Sequence, residues 1–316
     1  MKNETSITSV LLTSISDDQK TISVLFIFFL LIYLMTVFSN SLIILLVVTC
    51  AHLHTPMYFF LGNLAFLDMS YSSVTAPSML SHLITQHWSI SLSECKAQMF
   101  FVMYFAGSEP LLLSSMSYDR YVAICHPLHY SQVMSWGTCA QMASLVWSTA
   151  FLVCITYIIS LKRLTFCGPN LIKNFFCDMP HLLQISCTDP TINVLIIIIL
   201  GGIFCTAALV TTFYPYVRIF RAVLRIRTSE GKSKAFSTCT SHLTVVFMYY
   251  VSVTFIYFVP DSSNFLTLNQ VVSVIYTLII PLLNPLIYSL RSKDLKAALQ
   301  RALHIHRLHP APATRR

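Results

Sequence analysis

Charge is what this chain has least of. Only 10% of its 316 residues are Asp, Glu, Lys or Arg, while 55% are hydrophobic. A soluble domain carries about 25% charge, so an ordinary water-solvated fold is excluded. Catalytic signatures are missing as well. No His/Cys set has zinc-ligand spacing, no glycine-rich loop would cradle a phosphate, and there is no nucleophile elbow. Neither enzymatic activity, a metal site nor a cofactor is expected. No internal repeat is present, which argues against a transporter built from inverted halves. Nucleic acid is not an expected partner either. The formal charge is +8, but the basic residues fall in short loops rather than one patch.

What the chain does have is apolar length. Seven segments run Ile22–Val48, Met57–Leu80, Ala97–Tyr121, Cys139–Ser160, Asn193–Leu224, Ala235–Val259 and Asn269–Leu290. A helix needs roughly 20 apolar residues to cross a bilayer. They predict an all-α membrane protein, a seven-transmembrane helix bundle surrounded by membrane lipids. The expected division is an extracellular tail over 1–21, a seven-transmembrane domain over 22–290 and a cytoplasmic tail over 291–316. Met1–Lys20 is polar, and the first apolar run is too long for a cleaved signal, so it reads as the first span.

Lys and Arg set the expected orientation. Fourteen fall on the side of the C-terminus and six on the other, which places the N-terminus outside and the C-terminus in the cytoplasm. A multi-pass plasma-membrane location follows. The sequon Asn3-Glu4-Thr5 then lies on the outer tail, where glycosylation acts. Cys95, Cys167, Cys177 and Cys187 also fall outside, where thiols oxidise. An even set implies two disulfides, with three pairings open. Three of these cysteines sit in a loop of about thirty residues between Ser160 and Asn193, which reads as a stapled lid. Beyond the seventh span, Leu295, Ala298, Leu299, Ala302 and Leu303 recur at helical spacing between Lys293, Lys296 and Arg301. That is a short amphipathic helix on the inner leaflet.

Ionisable residues inside spans are costly and tend to be functional. Asp68 lies about 17 Å into its span at 1.5 Å per residue, and Glu109 lies at a similar depth. Two carboxylates meeting there would share a proton or hold a cation; the alternative is two acids bonded separately on different faces. Asp119-Arg120-Tyr121 closes the third span with an ion pair that can hold a resting state, or with an arginine that only snorkels. Pro77, Pro110, Pro215 and Pro285 permit bends, and Asn284-Pro285 with Tyr288 forms a hinge.

The outer halves of spans three, five, six and seven lack Asp, Glu, Lys and Arg. Candidate ligand contacts there are Met103, Tyr104, Ala106, Gly107, Ile198, Gly202, Thr254, Tyr257, Val274 and Thr277. They suit a small, neutral, lipophilic molecule. Asn269–Leu290 has no lysine for a retinal Schiff base, and Val102 and Met103 stand where an amine receptor would want a carboxylate.

Several stretches together resemble the odorant-receptor family, in its class II, tetrapod-type branch. They are His54-Thr55-Pro56-Met57-Tyr58-Phe59-Phe60-Leu61, the run Met116-Ser117-Tyr118-Asp119-Arg120-Tyr121-Val122-Ala123-Ile124-Cys125, and Lys234-Ala235-Phe236-Ser237-Thr238-Cys239. Pro281-Leu282-Leu283-Asn284-Pro285-Leu286-Ile287-Tyr288 completes the set. The resemblance implies rhodopsin-like architecture, a small-molecule odorant, and a heterotrimeric G protein of the stimulatory or olfactory type acting through cyclic AMP. It implies disulfides Cys95–Cys177 and Cys167–Cys187, with Cys95–Cys187 also described in the family. By analogy Arg120, Tyr214 and His242 form the inner switch, with Tyr250 and Tyr257 between it and the ligand. The chain departs from the family pattern at Ser39, Asn174, Phe213 and Val251, and at Pro110, which would re-aim the third span. A receptor for a non-odorant metabolite in another tissue is the competing reading.

Overall fold

Polar side chains cap three of the first four long helices. Asp18 accepts a hydrogen bond from the Thr21 N–H at 2.9 Å and opens α1 (Gln19–Thr49). Pro56, whose missing N–H costs nothing in a first turn, opens α2 (Pro56–Thr85). Ser91 and Glu94 cap each other reciprocally at the start of α3 (Leu92–Cys125). Ser135 accepts from the Thr138 N–H at 3.3 Å ahead of α4 (Trp136–Leu161). α5 (Thr191–Arg225) and α6 (Ser229–Phe258) follow. α7 consists of two stretches, Leu266–Val274 and Ile280–Arg291, joined by a π-helical turn over Ile275–Ile279. That turn precedes Pro281, which offers no N–H to the carbonyl four residues back. α8 (Lys293–Leu308) closes the chain. This computed structural model describes residues 7–16, 18–167, 170–225, 228–258 and 266–308.

The predicted apolar segments lie within α1 to α7, except Val259, which is outside the described residues. The helices run past those segments by a few residues, because caps are polar and carry no hydropathy signal. Among the described residues, five helices are apolar and long enough to cross a membrane; α2 and α6 are not among them. In α2 the reason is visible: Asp68, Ser72 and Thr75 are polar, but all three are buried inside the bundle.

α3 is the hub, packed against α2, α4, α5 and α6, while α7 packs on α1, α2 and α6. Most of the core, including Phe60, Leu64, Leu112, Leu113 and Val245, forms one apolar cluster. α8 buries Leu295 and Ala298 and leaves Lys296 and Arg301 exposed, as an amphipathic surface helix would. The Ala302 and Leu303 side chains lie outside the described residues.

At the opposite end the chain builds a small sheet from strands β1 (Ser9–Leu12), β2 (Ser89–Ser91) and β3 (Leu171–Ile172). β1 is central, antiparallel to β2 and parallel to β3. Val10 and Leu12 point inward and are buried, while Leu11 between them is 43% exposed, the two-residue period of a half-buried strand. The expected tail over 1–21 is thus, from Ile7 on, an integrated strand followed by the start of α1. Asn3 lies outside the described residues. Disulfides Cys95–Cys177 and Cys167–Cys187, with Cα–Cα distances of 5.4 and 5.7 Å, pin the long loop to α3 and to itself.

Candidate functional site

Three buried acids, Asp68, Glu109 and Asp119, lie between the middle of the bundle and its α8 end. In the middle tier the Asn284 amide donates to both carboxylate oxygens of Asp68, at 3.1 and 3.0 Å. Glu109 on α3 faces the same tier, near enough for its charge to act on Asp68, and its Oε1 has no hydrogen-bond partner among the described residues. The direct partner of Asp68 is therefore Asn284. Asn40 on α1 donates to the Pro281 carbonyl at 3.0 Å. That carbonyl lies four residues before Pro285, so it is the one the proline leaves without its helical partner. Asn40 repairs the gap from a neighbouring helix, and Asn284, Pro285 and Tyr288 all sit buried on the stretch it steadies.

A second proline gap lies higher up. Pro110 cannot bond the Ala106 carbonyl, and the Tyr249 hydroxyl of α6 donates to it instead at 3.2 Å. Tyr249 belongs to a row of rings that crosses the bundle. Tyr71 meets Tyr276 at 5.5 Å between centroids, Tyr276 meets Tyr249 at 6.0 Å, and Tyr249 meets Tyr250 at 5.0 Å. The buried acids Asp68, Glu109 and Asp119 of α2 and α3 lie on the α8 side of this row.

Nearest α8, Arg120 donates to Asp119 through Nη2 at 2.6 Å and Nε at 3.0 Å. Tyr130 donates to the other Asp119 oxygen at 2.7 Å. Burial, and then the Asp119 charge, push the Tyr130 phenol above its ordinary range, so it stays a proton donor. Arg120 lines a cavity of about 350 Å³ together with Tyr58, Ser241, Tyr288 and Asp294. Tyr58 ties this rim to α8, its hydroxyl lying 2.8 Å from Ser292 Oγ and 3.2 Å from Asp294.

The partner of His242 needs correcting. The tyrosine hydrogen-bonded to the His242 ring is Tyr216, whereas Tyr214 is 59% exposed on the outside of the bundle. The buried face of α5 runs Ala208, Thr212, Pro215, Tyr216, Ile219 and Val223, and a residue two positions from Tyr216 points away from it. Tyr121 packs against the cluster of Tyr216, Ile219, Val223 and Cys239, its hydroxyl 3.0 Å from the His126 ring.

The candidate ligand contacts divide. Ala106 and Val274 pack against the main cluster, and Thr277, next to Tyr276 in the chain, is buried. Met103 packs instead in the cluster under the disulfides. Tyr104 turns toward α4, against Trp147 and Phe151 at 5.8 and 6.1 Å. A side chain at Gly107 would meet Ala150 and Phe204. Ile198 is 62% exposed, nothing lies within 4 Å of a Cβ built on Gly202, and Thr254 is exposed, so these three do not join the group. The Tyr257 side chain lies outside the described residues.

This arrangement has close counterparts. The Olfactory receptor family model matches residues 29–306. Olfactory receptor 1J1 of Mus musculus is 43% identical over 96% of this chain and 97% of its own length. Olfactory receptor 1G1 of Gorilla gorilla gorilla is 42% identical over 98% of both. The chain belongs to the olfactory receptor family. Its fold is that of the rhodopsin-like receptors: squid rhodopsin superposes with a TM-score of 0.69, covering 90% of this chain and 86% of that one at 19% identity. The protein is accordingly a multi-pass receptor of the plasma membrane, not an enzyme, with a small-molecule ligand and a G protein as its partners. In this olfactory receptor, sequence reasoning missed Tyr71, Tyr249 and Tyr276, and Asn40 as the brace of α7. A readable signal existed for one of them: Tyr249 stands four residues past Val245, on the same helical face.

Proposed function

We propose that this receptor takes a neutral, lipophilic odorant into the disulfide-end half of its bundle. It then activates a stimulatory or olfactory-type G protein at its α8 end and raises cyclic AMP. The disulfide end faces outside, in line with the Lys/Arg bias and with oxidised cysteines. One observation carries the reading: the split of charge along four of the spans. Residues 97–108, 193–208, 243–258 and 266–283 contain no Asp, Glu, Lys or Arg. The Asp68–Asn284 tier, the Tyr216–His242 bond and the Asp119–Arg120 pair all lie beyond them. A charged ligand would find no counter-ion on these four stretches, while a greasy one loses nothing by packing against them.

Below the row, the groups that join helices are the ones an activating movement must break. Arg120 is held by Asp119 at the rim of an open cavity, so releasing it presents a fixed cation to a partner. A panel of volatile compounds tested on cells with a cyclic AMP reporter checks both parts. The expected hits are uncharged and apolar, and Arg120→Ala abolishes their response. Activation only by charged amines or carboxylates, or an undiminished signal in Arg120→Ala, overturns the reading.

A further inference from the structure

Phe175 and Phe176 leave the long loop and join the main cluster of the bundle, although their neighbours Ile172 and Cys177 belong to the separate cluster under the disulfides. These rings cover the half of the bundle to which the ligand is assigned. What holds them at the right depth is β1 together with Thr13, the residue that follows it. The Thr13 N–H donates to the Asn174 carbonyl at 3.1 Å, immediately before Phe175. The Thr13 hydroxyl donates to the Ile172 carbonyl at 2.8 Å, and the buried Asn174 turns its own Oδ1 to the Phe175 N–H at 2.9 Å. On its other edge β1 grips a second ring, since the Leu12 N–H donates to the Trp88 carbonyl at 2.8 Å. Trp88 packs against both apolar clusters. One short strand thus sets the positions of three aromatic residues over the bundle. Unlike the long loop, it has no disulfide.

We propose that β1 forms a wall of the ligand site, with Thr13 and Asn174 as positioning residues that hold Phe175 and Phe176 as its roof. Strand addition supplies directional bonds along an edge without a covalent tie, so β1 is the detachable member of the cover. Its departure leaves β2 and β3 without a common partner and frees Asn174, and the two rings lift with it. Thr13 is then a determinant of ligand access, although it lies in the segment that hydropathy marks only as a polar tail. The aromatic roof also suits the neutral, apolar ligand proposed above.

The inference rests on the disulfide-end half being the ligand site, but its test needs neither ligand nor G protein, so the two fail separately. Ala106→Cys, a small change beside the main cluster under the roof, serves as reporter on intact cells. The probe is a membrane-impermeant methanethiosulfonate ammonium reagent, with wild-type receptor giving the background from native free cysteines. Thr13→Val keeps the shape and removes the hydroxyl, and Thr13→Ser restores it. Modification of the reporter is expected to run about three- to tenfold faster with Thr13→Val, the population change that follows loss of one neutral hydrogen bond. Thr13→Ser is expected at the reporter's own rate. If Thr13→Val does not reach the surface, Asn170→Ala, which removes the Asn170 amide bond to the Ser9 carbonyl, substitutes for it and is expected to accelerate labelling likewise. Equal rates across all backgrounds, or equal acceleration by Thr13→Val and Thr13→Ser, overturn the proposal.

Discussion

α3 and α5 are the same kind of object by composition and opposite kinds by position. Both are long, and α5 is the more apolar, yet 56% of the most apolar window of α3 is buried in protein against 6% for α5. α3 is surrounded by four helices. α5 touches the bundle along a strip and presents Ile198, Ile203, Val210 and Phe220 outward. In water those outward residues would be polar and would reveal the strip. In lipid they are as greasy as the core, so hydrophobicity stops reporting which side faces the protein. The lesson is that span existence and span rotation are separate questions, and only the first is written in hydropathy.

The largest expected difference between the two helices is in stability. Leu112 on α3 has no exposed surface, and Leu112→Ala should cost about 2–5 kcal/mol through lost contacts and the cavity left behind. Ile203 on α5 is 65% exposed, and Ile203→Ala should stay within about 0.5 kcal/mol. Thermal unfolding of the detergent-solubilised receptor measures both. Similar melting shifts would show that α5 is packed by something other than lipid.

Legibility divided along the same line. Seven spans, their order and the amphipathic α8 were readable because apolar length, helical spacing and charge are local signals. The Asp119–Arg120 pair was readable because both residues are adjacent in sequence. Asp68 and Glu109 were placed in one tier by counting residues along helices, which needs no rotation. Rotation was what failed: Tyr214 was chosen over Tyr216, and Ile198 and Gly202 over the face that continues upward from Ala208. β1 escaped for another reason. Four residues with a two-residue period are too short to stand out, and the strand exists only because β2 and β3, far away in sequence, meet on either side of it.

The Tyr216 correction gives the next-largest effect. Its hydroxyl and the His242 ring are both buried, so Tyr216→Phe leaves a polar nitrogen without its partner, at about 1–3 kcal/mol. The bond joins α5 to α6, and losing it should lower the melting temperature and raise basal cyclic AMP several-fold. Tyr214→Phe, on the lipid side, should do neither. A larger effect at Tyr214 would restore the sequence-based assignment.

A smaller effect is expected where α6 braces α3. Tyr249→Phe removes the donor that serves the Ala106 carbonyl beside Pro110, a single bond of 3.2 Å. Interhelical hydrogen bonds in membranes average about 0.6 kcal/mol. If Pro110 is what makes the bond useful, then Pro110→Ala, which restores the helical N–H, should make the receptor insensitive to Tyr249→Phe. A double-mutant cycle in melting temperature tests this, and additive losses would show that the hydroxyl contributes independently of the gap at Pro110.

The smallest expected effect is the most direct test of rotation. Gly202 is a candidate ligand contact by sequence, yet a Cβ placed on it meets nothing within 4 Å. Gly202→Ala should therefore leave the half-maximal concentration of any agonist unchanged. Stability should be unchanged or raised by up to about 1 kcal/mol, the helix-propensity gain over glycine, which a pre-formed membrane helix reduces. Gly201, one residue earlier, faces the bundle, where its Cβ would come 3.5 Å from the Tyr157 hydroxyl. That is ordinary van der Waals contact for alanine, but Gly201→Leu would push into α4. Comparing leucine at the two positions isolates direction from chemistry: loss at Gly201 and tolerance at Gly202 fixes the rotation of α5, and the reverse pattern turns the helix by about 100° and returns Ile198 and Gly202 to the pocket.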